Sequence, residues 1–587
     1  MKLSDYIVDY FDKQGVHIVF GYIGGMITHL VDSITQNENV HFVQTYHEQS
    51  AAIAAEGFAK ETGKFGIAIA TSGPGATNMM TGIADAYFDS VPVLYITGQV
   101  NTSEYKYEKL IRQQGFQETD VVSMVKPVTK YAKLVDRAED ICYELEKAIH
   151  IAMSGRKGPV LLDIPMNIQR TEINPDELRK YLPETGKSDS IDYTELIKII
   201  EGAQRPMILV GAGCLSQFSK KEINNFIDKT KIPVVSSLLG RGVIDETYSN
   251  YLGMIGSYGN RNANMGIANS DLLIALGTRL DTRQTGAMVD KFLEHGKIIH
   301  VDIDINELND HRLTNRIKVH TDVYTFMKKI NSKEIDISFN QEWIDYLLTL
   351  KENYNQEKEI DRFIENKAPY RFMQTLNKYS QDNDVFCADI GQNQMWAAQT
   401  LHLKKGQRFI TSGGLAPMGF SIPAAVGTAF ASPDKNIYSI NGDGGFHIAV
   451  QSLMLISQYN LPIKVIVLNN NALGMITQFQ QLYFGGRLSG TTYKGGYVVP
   501  NIKDISAAYG LAYYRLTETD LIHEELMNEI FTSRNCIVEY ITGGLTSVSP
   551  KLEYNKPIEK PIPLLPEGEH DANMFINKIK NKKLKLN

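Results

Sequence analysis

Four cysteines, two tryptophans and no long uncharged apolar run stand out as scarcities in a chain of 587 residues. Cys142, Cys214, Cys387 and Cys536 lie far apart, and none has the paired spacing of a zinc ligand set. They read as buried thiols of a reducing compartment and exclude a disulfide framework. With no apolar stretch of spanning length, a membrane protein is not expected. The chain also lacks an excess of positive charge. Its formal net charge is −7, so no global basic field invites nucleic acid. The opening stretch, MKLSDYIVDYFDKQG, carries Asp5, Asp9 and Asp12 where a secretory signal needs an apolar centre. Its spacing predicts an amphipathic first helix, and the cytoplasm is the expected location.

What is present is ordinary in bulk and specific in detail. A hydrophobic content of 43% and a charged content of 22% suit a soluble globular protein. The length predicts three or four domains. Short β-prone runs such as Ile18–Phe20, Ile67–Ala70 and Val93–Ile96 alternate with helical stretches, the pattern of parallel sheets covered by helices. Residues 1–170 read as one such domain, with a polar linker after Thr171. Residues 190–331 read as a second, 332–368 as a charged helical connector, and 369–549 as a third. Residues 550–587, with several prolines and a lysine-rich end, read as a peripheral or mobile tail and a solvated terminus.

The most telling stretch is Gly442 to Asn470. A β-prone segment ends at Gly442-Asp443-Gly444, read as a tight turn; Ala449 to Gln458 has helical spacing; Ile463 to Leu468 is a β-branched run. Such a βαβ unit carries Asp443 and Asn469-Asn470 to neighbouring strand ends, where open α/β sheets bind ligands. A carboxylate, an amide oxygen and a backbone carbonyl suit Mg²⁺ or Ca²⁺, with phosphate oxygens completing the shell. A polar turn alone would account for Gly-Asp-Gly, but not for the Asn pair one full unit later.

Other segments join it. Tyr46-His47-Glu48-Gln49 opens an alanine-rich helix, where a Glu is also favoured simply by the helix dipole. Thr71 to Asn78 and Thr411 to Phe420 are Gly-rich loops before helices, Phe116 to Asp120 is a polar patch, and Gly391 to Trp396 follows a strand. With FGYIGG, YHEQ, TSGPGATN, FQETD, GRG, DIGQNQMWAAQ, TSGGLAPMGF, GDGGF and NNNALGM in order from about Lys2 to Pro550, the chain resembles the thiamine-diphosphate enzymes of the acetolactate synthase family.

The resemblance implies an α/β fold of three doubly wound parallel-sheet domains: pyrimidine-binding, central and diphosphate-binding. It implies active sites shared between subunits, hence a homodimer or homotetramer; it leaves any regulatory subunit unassigned. It implies thiamine diphosphate and Mg²⁺ as cofactors. Glu48 matches the residue that activates the aminopyrimidine, and Met418 the apolar wedge that bends the cofactor. Pro74, Asn78 and Gln117 line the pyrimidine side. Gln392, Asn393, Gly444, Gly445 and Met475 match the diphosphate side. Asp443, Asn470 and the carbonyl of Ala472 match the metal ligands. The implied reaction decarboxylates pyruvate and transfers a two-carbon enamine unit to an acceptor 2-oxo acid.

In this family the middle domain often binds FAD. Gly211, Gly213, Gly277, Arg279, Asp281, Asp302 and Ile303 stand at the matching places. Departures gather around the expected substrate pocket of Gly25, Met26, Phe116, Met166, Arg283 and Phe479. Phe479 replaces a Trp, Met166 a Lys and Met26 a small residue, and Ile23 stands where the family has Pro. Arg283 is retained, and a guanidinium fork suits an acceptor carboxylate. The stretch Asn555 to Pro566 resembles tails of synthase-like proteins linked to surface polysaccharides. A keto-sugar nucleotide as acceptor, or a 2-oxo acid decarboxylase or oxidase, therefore stays open beside the synthase.

Overall fold

The structure, a computed structural model, describes residues 1–183, 191–337 and 341–577. The lysine-rich end and part of the expected linker lie outside these. Three parallel six-stranded sheets follow one another along the chain. The first holds β1 Ile18–Tyr22, β2 His41–Gln44, β3 Gly66–Ala70, β4 Val93–Gln99, β5 Tyr131–Leu134 and β6 Val160–Pro165, in the order β2-β1-β3-β4-β6-β5. The second holds β7 Pro206–Val210, β8 Val234–Ser236, β9 Tyr251–Met254, β10 Leu272–Leu276, β11 Lys297–Asp302 and β12 Arg316–His320, in the order β12-β11-β10-β7-β8-β9. The third holds β13 Val385–Ala388, β14 Arg408–Ile410, β15 Ile437–Gly442, β16 Ile463–Asn469, β17 Tyr513–Leu516 and β18 Cys536–Ile541, in the order β14-β13-β15-β16-β18-β17. The first and third sheets share one wiring. The second has the dinucleotide-fold order, with its switch between β7 and β10.

Sequence explains the burial. β3, β4, β6 and β16 are apolar along nearly their whole length and buried at every position, as parallel strands covered on both faces must be. The four cysteines are buried and free. Leu3–Lys13 is the amphipathic helix its spacing predicts, burying Leu3, Ile7, Val8 and Phe11. Among the described residues, no helix is long and apolar enough to cross a membrane.

One apolar core runs through both outer sheets. Its centre is the crossing of helix Glu48–Thr62 with helix Ser421–Ala431. Small residues let the two backbones touch. A Cβ added at Gly427 would lie 1.8 Å from the Ala54 carbonyl oxygen, and one at Gly57 would lie 2.3 Å from that of Ala424. A helical glycine costs about 1 kcal/mol against alanine; here it is what permits the contact.

Two expectations are corrected. Asp443 does not sit in a turn: it opens a short helix, Asp443–Ile448, and the second part, Leu453–Gln458, resumes after a 3₁₀ turn. The 332–368 connector holds helices Gln341–Asn353 and Gln356–Phe363, and its Trp343, Leu347 and Leu350 pack into the core of the central sheet beside Met207 and Leu273. The tail is not peripheral. Leu552, Ile558, Leu565 and Phe575 are buried in that same core. Arg261 reinforces it, pairing with Glu359 at 2.7 Å and donating to the carbonyls of Pro561 and Pro563 at 3.2 and 2.9 Å.

Candidate active site

Glu48 occupies the first turn of its helix, which begins directly after β2 and the left-handed Tyr46 (φ 59°). The His47 side chain caps that turn by accepting from the Gln49 N–H. Glu48 is 7% exposed. Its Oε2 accepts from Asn78 Nδ2 at 2.9 Å, which leaves Oε1 for a ligand. Pro74 opens the short helix that carries Asn78. Gln117 reaches the same corner in a left-handed conformation (φ 63°), with its backbone and Cβ against Gly73. Its loop is tied by Glu118, within the Phe116–Asp120 patch. The buried Glu118 carboxylate accepts backbone N–H groups from Lys106, Gln114 and Gly115 at 2.7, 2.6 and 3.0 Å. Burial opposes its charge, but those three donors outweigh it and hold the carboxyl below its usual range. Phe116, beside Gln117, is 81% exposed.

A second group of residues gathers where β15 and β16 end. Asp443 is 2% exposed. Its Oδ1 accepts from the Tyr497 hydroxyl at 2.6 Å, while its Oδ2 is buried without a partner. Burial pushes this carboxyl up, against the pull of Tyr497 and nearby backbone N–H groups. Asn470 Nδ2 donates to Thr546 Oγ1 at 2.9 Å, and its Oδ1 accepts the Ala472 N–H at 3.1 Å. A Cβ on Gly444 would meet Leu473, the Met418 methyl and the Tyr497 hydroxyl at 2.9 to 3.1 Å. One on Gly445 would meet Asp389 at 2.5 Å. Met418 thus borders the glycine floor beside the Asp443 carboxylate.

Gln392 and Asn393 are close by, but their side-chain amides are spent inside the protein. Gln392 Nε2 donates to Gln478 and to the Thr546 carbonyl; Asn393 Nδ2 donates to the Asp389 and Ile440 carbonyls. What this pair offers an anion is the backbone at the start of helix Gln392–Thr400. An orphaned carboxylate oxygen, an amide oxygen, a backbone carbonyl and a glycine floor make a donor set that fits a hard divalent cation holding a diphosphate.

Comparison with known proteins matches this layout. Residues 1–124 fit the family model of the thiamine pyrophosphate enzyme N-terminal TPP binding domain, 193–330 its central domain and 389–539 its C-terminal TPP binding domain. The acetolactate synthase large subunit of Corynebacterium glutamicum is 36% identical over 561 residues, 93% of this chain and 87% of that protein. The probable acetolactate synthase large subunit of Methanocaldococcus jannaschii is 34% identical, over 96% of this chain and 97% of that protein. The chloroplastic acetolactate synthase of Arabidopsis thaliana is 34% identical, over 94% and 83%. The chain belongs to the acetolactate synthase family of thiamine pyrophosphate enzymes.

Within this family member, the two residue groups are held apart: helix Glu48–Thr62 crosses helix Ser421–Ala431 with Gly57 against Ala424 and Gly427 against Ala54, so Glu48 and the Met418 loop lie toward opposite ends of the crossing. Among the described residues, no hydrogen bond or ion pair joins Glu48, Asn78 or Gln117 to Asp443, Asn470 or Met418. The expected pocket residues divide in the same way. Met26 and Met166 lie on the Glu48 side, at the ends of β1 and β6. The Met26 N–H donates to Thr71, and its carbonyl accepts from Gln169, in the short helix that Met166 opens. Gly25 is exposed beside it. Met475 and Phe479 lie on the other side, on helix Gly474–Tyr483. The Tyr258 hydroxyl donates to Met475 Sδ at 3.4 Å, and the Arg283 guanidinium stands 5.6 Å from the Tyr258 ring centre. This row carries the central domain onto the third. Phe479 is 46% exposed and packs on Tyr483 and Phe484, with ring centres 4.7 and 5.9 Å away.

The residues expected at FAD are largely occupied within the central domain. Gly211, Gly213 and Gly277 meet backbone to backbone at the switch between β7 and β10: a Cβ on Gly213 would lie 2.8 Å from Gly277 Cα. Asp281 caps helix Thr282–Thr285 and pairs with Arg279 at 3.3 Å. Asp302, buried and pushed up to about 6 by that burial, accepts the Asp304 N–H. The Ile303 carbonyl faces His320.

Proposed function

We propose that this enzyme decarboxylates pyruvate and transfers the remaining two-carbon unit to the carbonyl of a second 2-oxo acid. The observation that carries the reading is the pair of complementary corners: a carboxylate with one free oxygen beside Asn78, and an orphaned carboxylate oxygen over a glycine floor. Thiamine diphosphate, when bound, supplies the electron sink that lets a 2-oxo acid lose CO₂. Glu48 holds a proton in exchange with the aminopyrimidine through Oε1, and Asn78 keeps Oε2 turned away. Asp443 Oδ2, Asn470 Oδ1 and the Ala472 carbonyl would hold Mg²⁺, with Tyr497 steadying Asp443. One carboxylate and two neutral oxygens leave the remaining ligands to diphosphate and water. Met418, beside Gly444, would offer the bound cofactor an apolar side chain to rest against. Gln117 and Phe116 close the Glu48 side, and Arg283 takes the acceptor carboxylate.

Because the two corners are held apart in one chain, we propose a homodimer as the smallest active unit, with each site drawn from two copies. Sedimentation with and without cofactor tests this. FAD is proposed at the ends of the central strands. The dinucleotide-fold strand order supports it, but Arg279, Asp281 and Asp302 already have partners, and no step here needs a flavin. A visible flavin band in the purified protein decides the matter.

The deciding experiment incubates the protein with pyruvate, thiamine diphosphate and Mg²⁺ and identifies products by NMR. Acetolactate, or acetoin after acid, is expected. Acetaldehyde alone would point to a decarboxylase. Turnover only on adding a keto sugar would move the acceptor to that class, the reading that Met26, Met166 and Phe479 keep open. No loss of pyruvate under any of these conditions refutes the donor assignment.

A further inference from the structure

Met418 lies in the middle of a loop, residues 411–420, whose grip comes from the other end of the molecule's sequence. Lys60, in the last turn of helix Glu48–Thr62, touches both ends of that loop. Its Nζ donates to the Thr411 carbonyl at 2.8 Å and stands 5.0 Å from the centre of the Phe420 ring. The same ammonium pairs with Asp89 at 2.9 Å and Glu56 at 2.8 Å. Asp89, whose side chain is fully buried, accepts the backbone N–H groups of Gly413 and Gly414 at 3.1 and 2.8 Å. Ser412 donates to Asp85 at 2.5 Å and accepts the Ala416 N–H at 2.9 Å. Gly414 presses so close to Phe88 that a methyl there would lie 2.5 Å from the Phe88 Cβ.

The electrostatics agree with a permanent anchor. Burial works against the Lys60 charge, yet Asp89, Glu56 and Asp85 outweigh it and hold the ammonium above its usual range. Burial, followed by repulsion from neighbouring carboxylates, raises Asp85. Charge-assisted hydrogen bonds to buried backbone groups are among the stronger ones a protein makes.

We infer that Lys60, Asp89 and the Asp85–Ser412 pair are positioning residues for catalysis: from the N-terminal domain they set the place of the Met418 loop in the C-terminal domain of the same chain. One helix of 15 residues, about 22 Å long, then presents Glu48 at its first turn and fixes the Met418 loop at its last. On the shared-site reading, these two ends serve different active sites. The inference rests on the role proposed for Met418, and the test separates the two.

The test begins with cofactor-free protein and uses Lys60→Met, Lys60→Arg and Ser412→Ala. Hydrogen–deuterium exchange is followed on peptides covering residues 411–420, and affinity for thiamine diphosphate with Mg²⁺ is measured by calorimetry. In Lys60→Met, the Gly413, Gly414 and Ala416 amides should exchange at least about tenfold faster, and the cofactor Kd should rise by about the same factor. Lys60→Arg, which keeps the charge, should restore both. Ser412→Ala removes one hydroxyl and no charge, and should loosen Ala416 in the same direction if Lys60→Met fails to fold. Parent-like exchange in the variants overturns the inference, and so does loosened exchange with unchanged affinity in a chain where Met418→Ala does weaken binding. If Met418→Ala leaves affinity and turnover unchanged, it is the role of Met418 that fails, while the exchange data still judge the anchor.

Discussion

Glu48→Gln changes one oxygen to an NH₂ group, and the structure dictates which one. Asn78 Nδ2 donates to Glu48 Oε2, and an amide nitrogen cannot accept that bond. With Asn78 kept in its present orientation, a glutamine turns its oxygen toward Asn78 and its NH₂ toward the ligand. The atom facing the pyrimidine changes from an acceptor, able to share a proton, to a donor that cannot. Because the side chain is 7% exposed, water cannot readily take its place. Losing a positioned acid–base group costs about 10²–10⁴-fold in rate, equivalent to about 3–5 kcal/mol of barrier. The clean assay is exchange of the C2 proton of bound thiamine diphosphate for deuterium, quenched and read by NMR, since it needs no knowledge of the acceptor. Cofactor affinity should fall far less than the exchange rate. Exchange within a factor of three of the parent, with cofactor bound, would show that Glu48 is not the proton-handling group.

Other outcomes follow from the packing and the buried charges. Asp163, fully buried beneath Thr97 and Gln99, is pushed up to about 7 by burial, with those hydrogen bonds opposing. An unfolded aspartate ionises near 4. The folded chain thus holds a proton that the unfolded chain has released between about pH 4 and 7, so stability falls as pH rises through that window and levels off above it. Asp163→Asn should remove this fall, worth at most about 4 kcal/mol, in urea titrations at several pH values; an unchanged pH profile refutes it. Arg261→Met should destabilise by about 3–5 kcal/mol, because it leaves the buried Glu359 charge unpaired, and limited proteolysis should then cut the tail. Adding Glu359→Leu should recover most of that loss; a double variant melting as low as the single one counts against the pairing argument. Gly427→Ala should lower the melting temperature through an overpacking cost of about 1–3 kcal/mol or more, whereas Gly202→Ala, with open space around it, should not.

The sequence carried much of the sheet architecture because parallel strands declare themselves. The β-branched run Ile463 to Leu468 became β16 with one added residue. β5 is not legible in the sequence: it is an edge strand, half-exposed, with Lys133 interrupting its apolar pattern. The glycines around Asp443 suggest a turn, because glycine marks both turns and close contacts and composition alone does not separate the two. Here they make room for Met418 and Asp389, and the chain starts a helix instead. The tail misled for a related reason: its prolines signalled an extended segment, but not that Leu552 and Phe575 would find sockets on a sheet far away in sequence. In the site, Asp443, Glu48 and Met418 stood in motifs. Tyr497 did not, since its partner lies 54 residues away and no local pattern announces the bond.

The first and third sheets share one strand order, and the helices that touch at Gly57 and Gly427 each follow the second strand and precede the third of their sheet. Equivalent elements facing one another is the geometry of an isologous contact between two identical subunits, here closed within a single chain. The two halves share this wiring but not their site residues. One has a carboxylate at its helix entry, Glu48; the other has a methionine in the loop just before the corresponding helix, Met418. What two identical subunits in such a contact would present twice, the single chain divides between unlike halves.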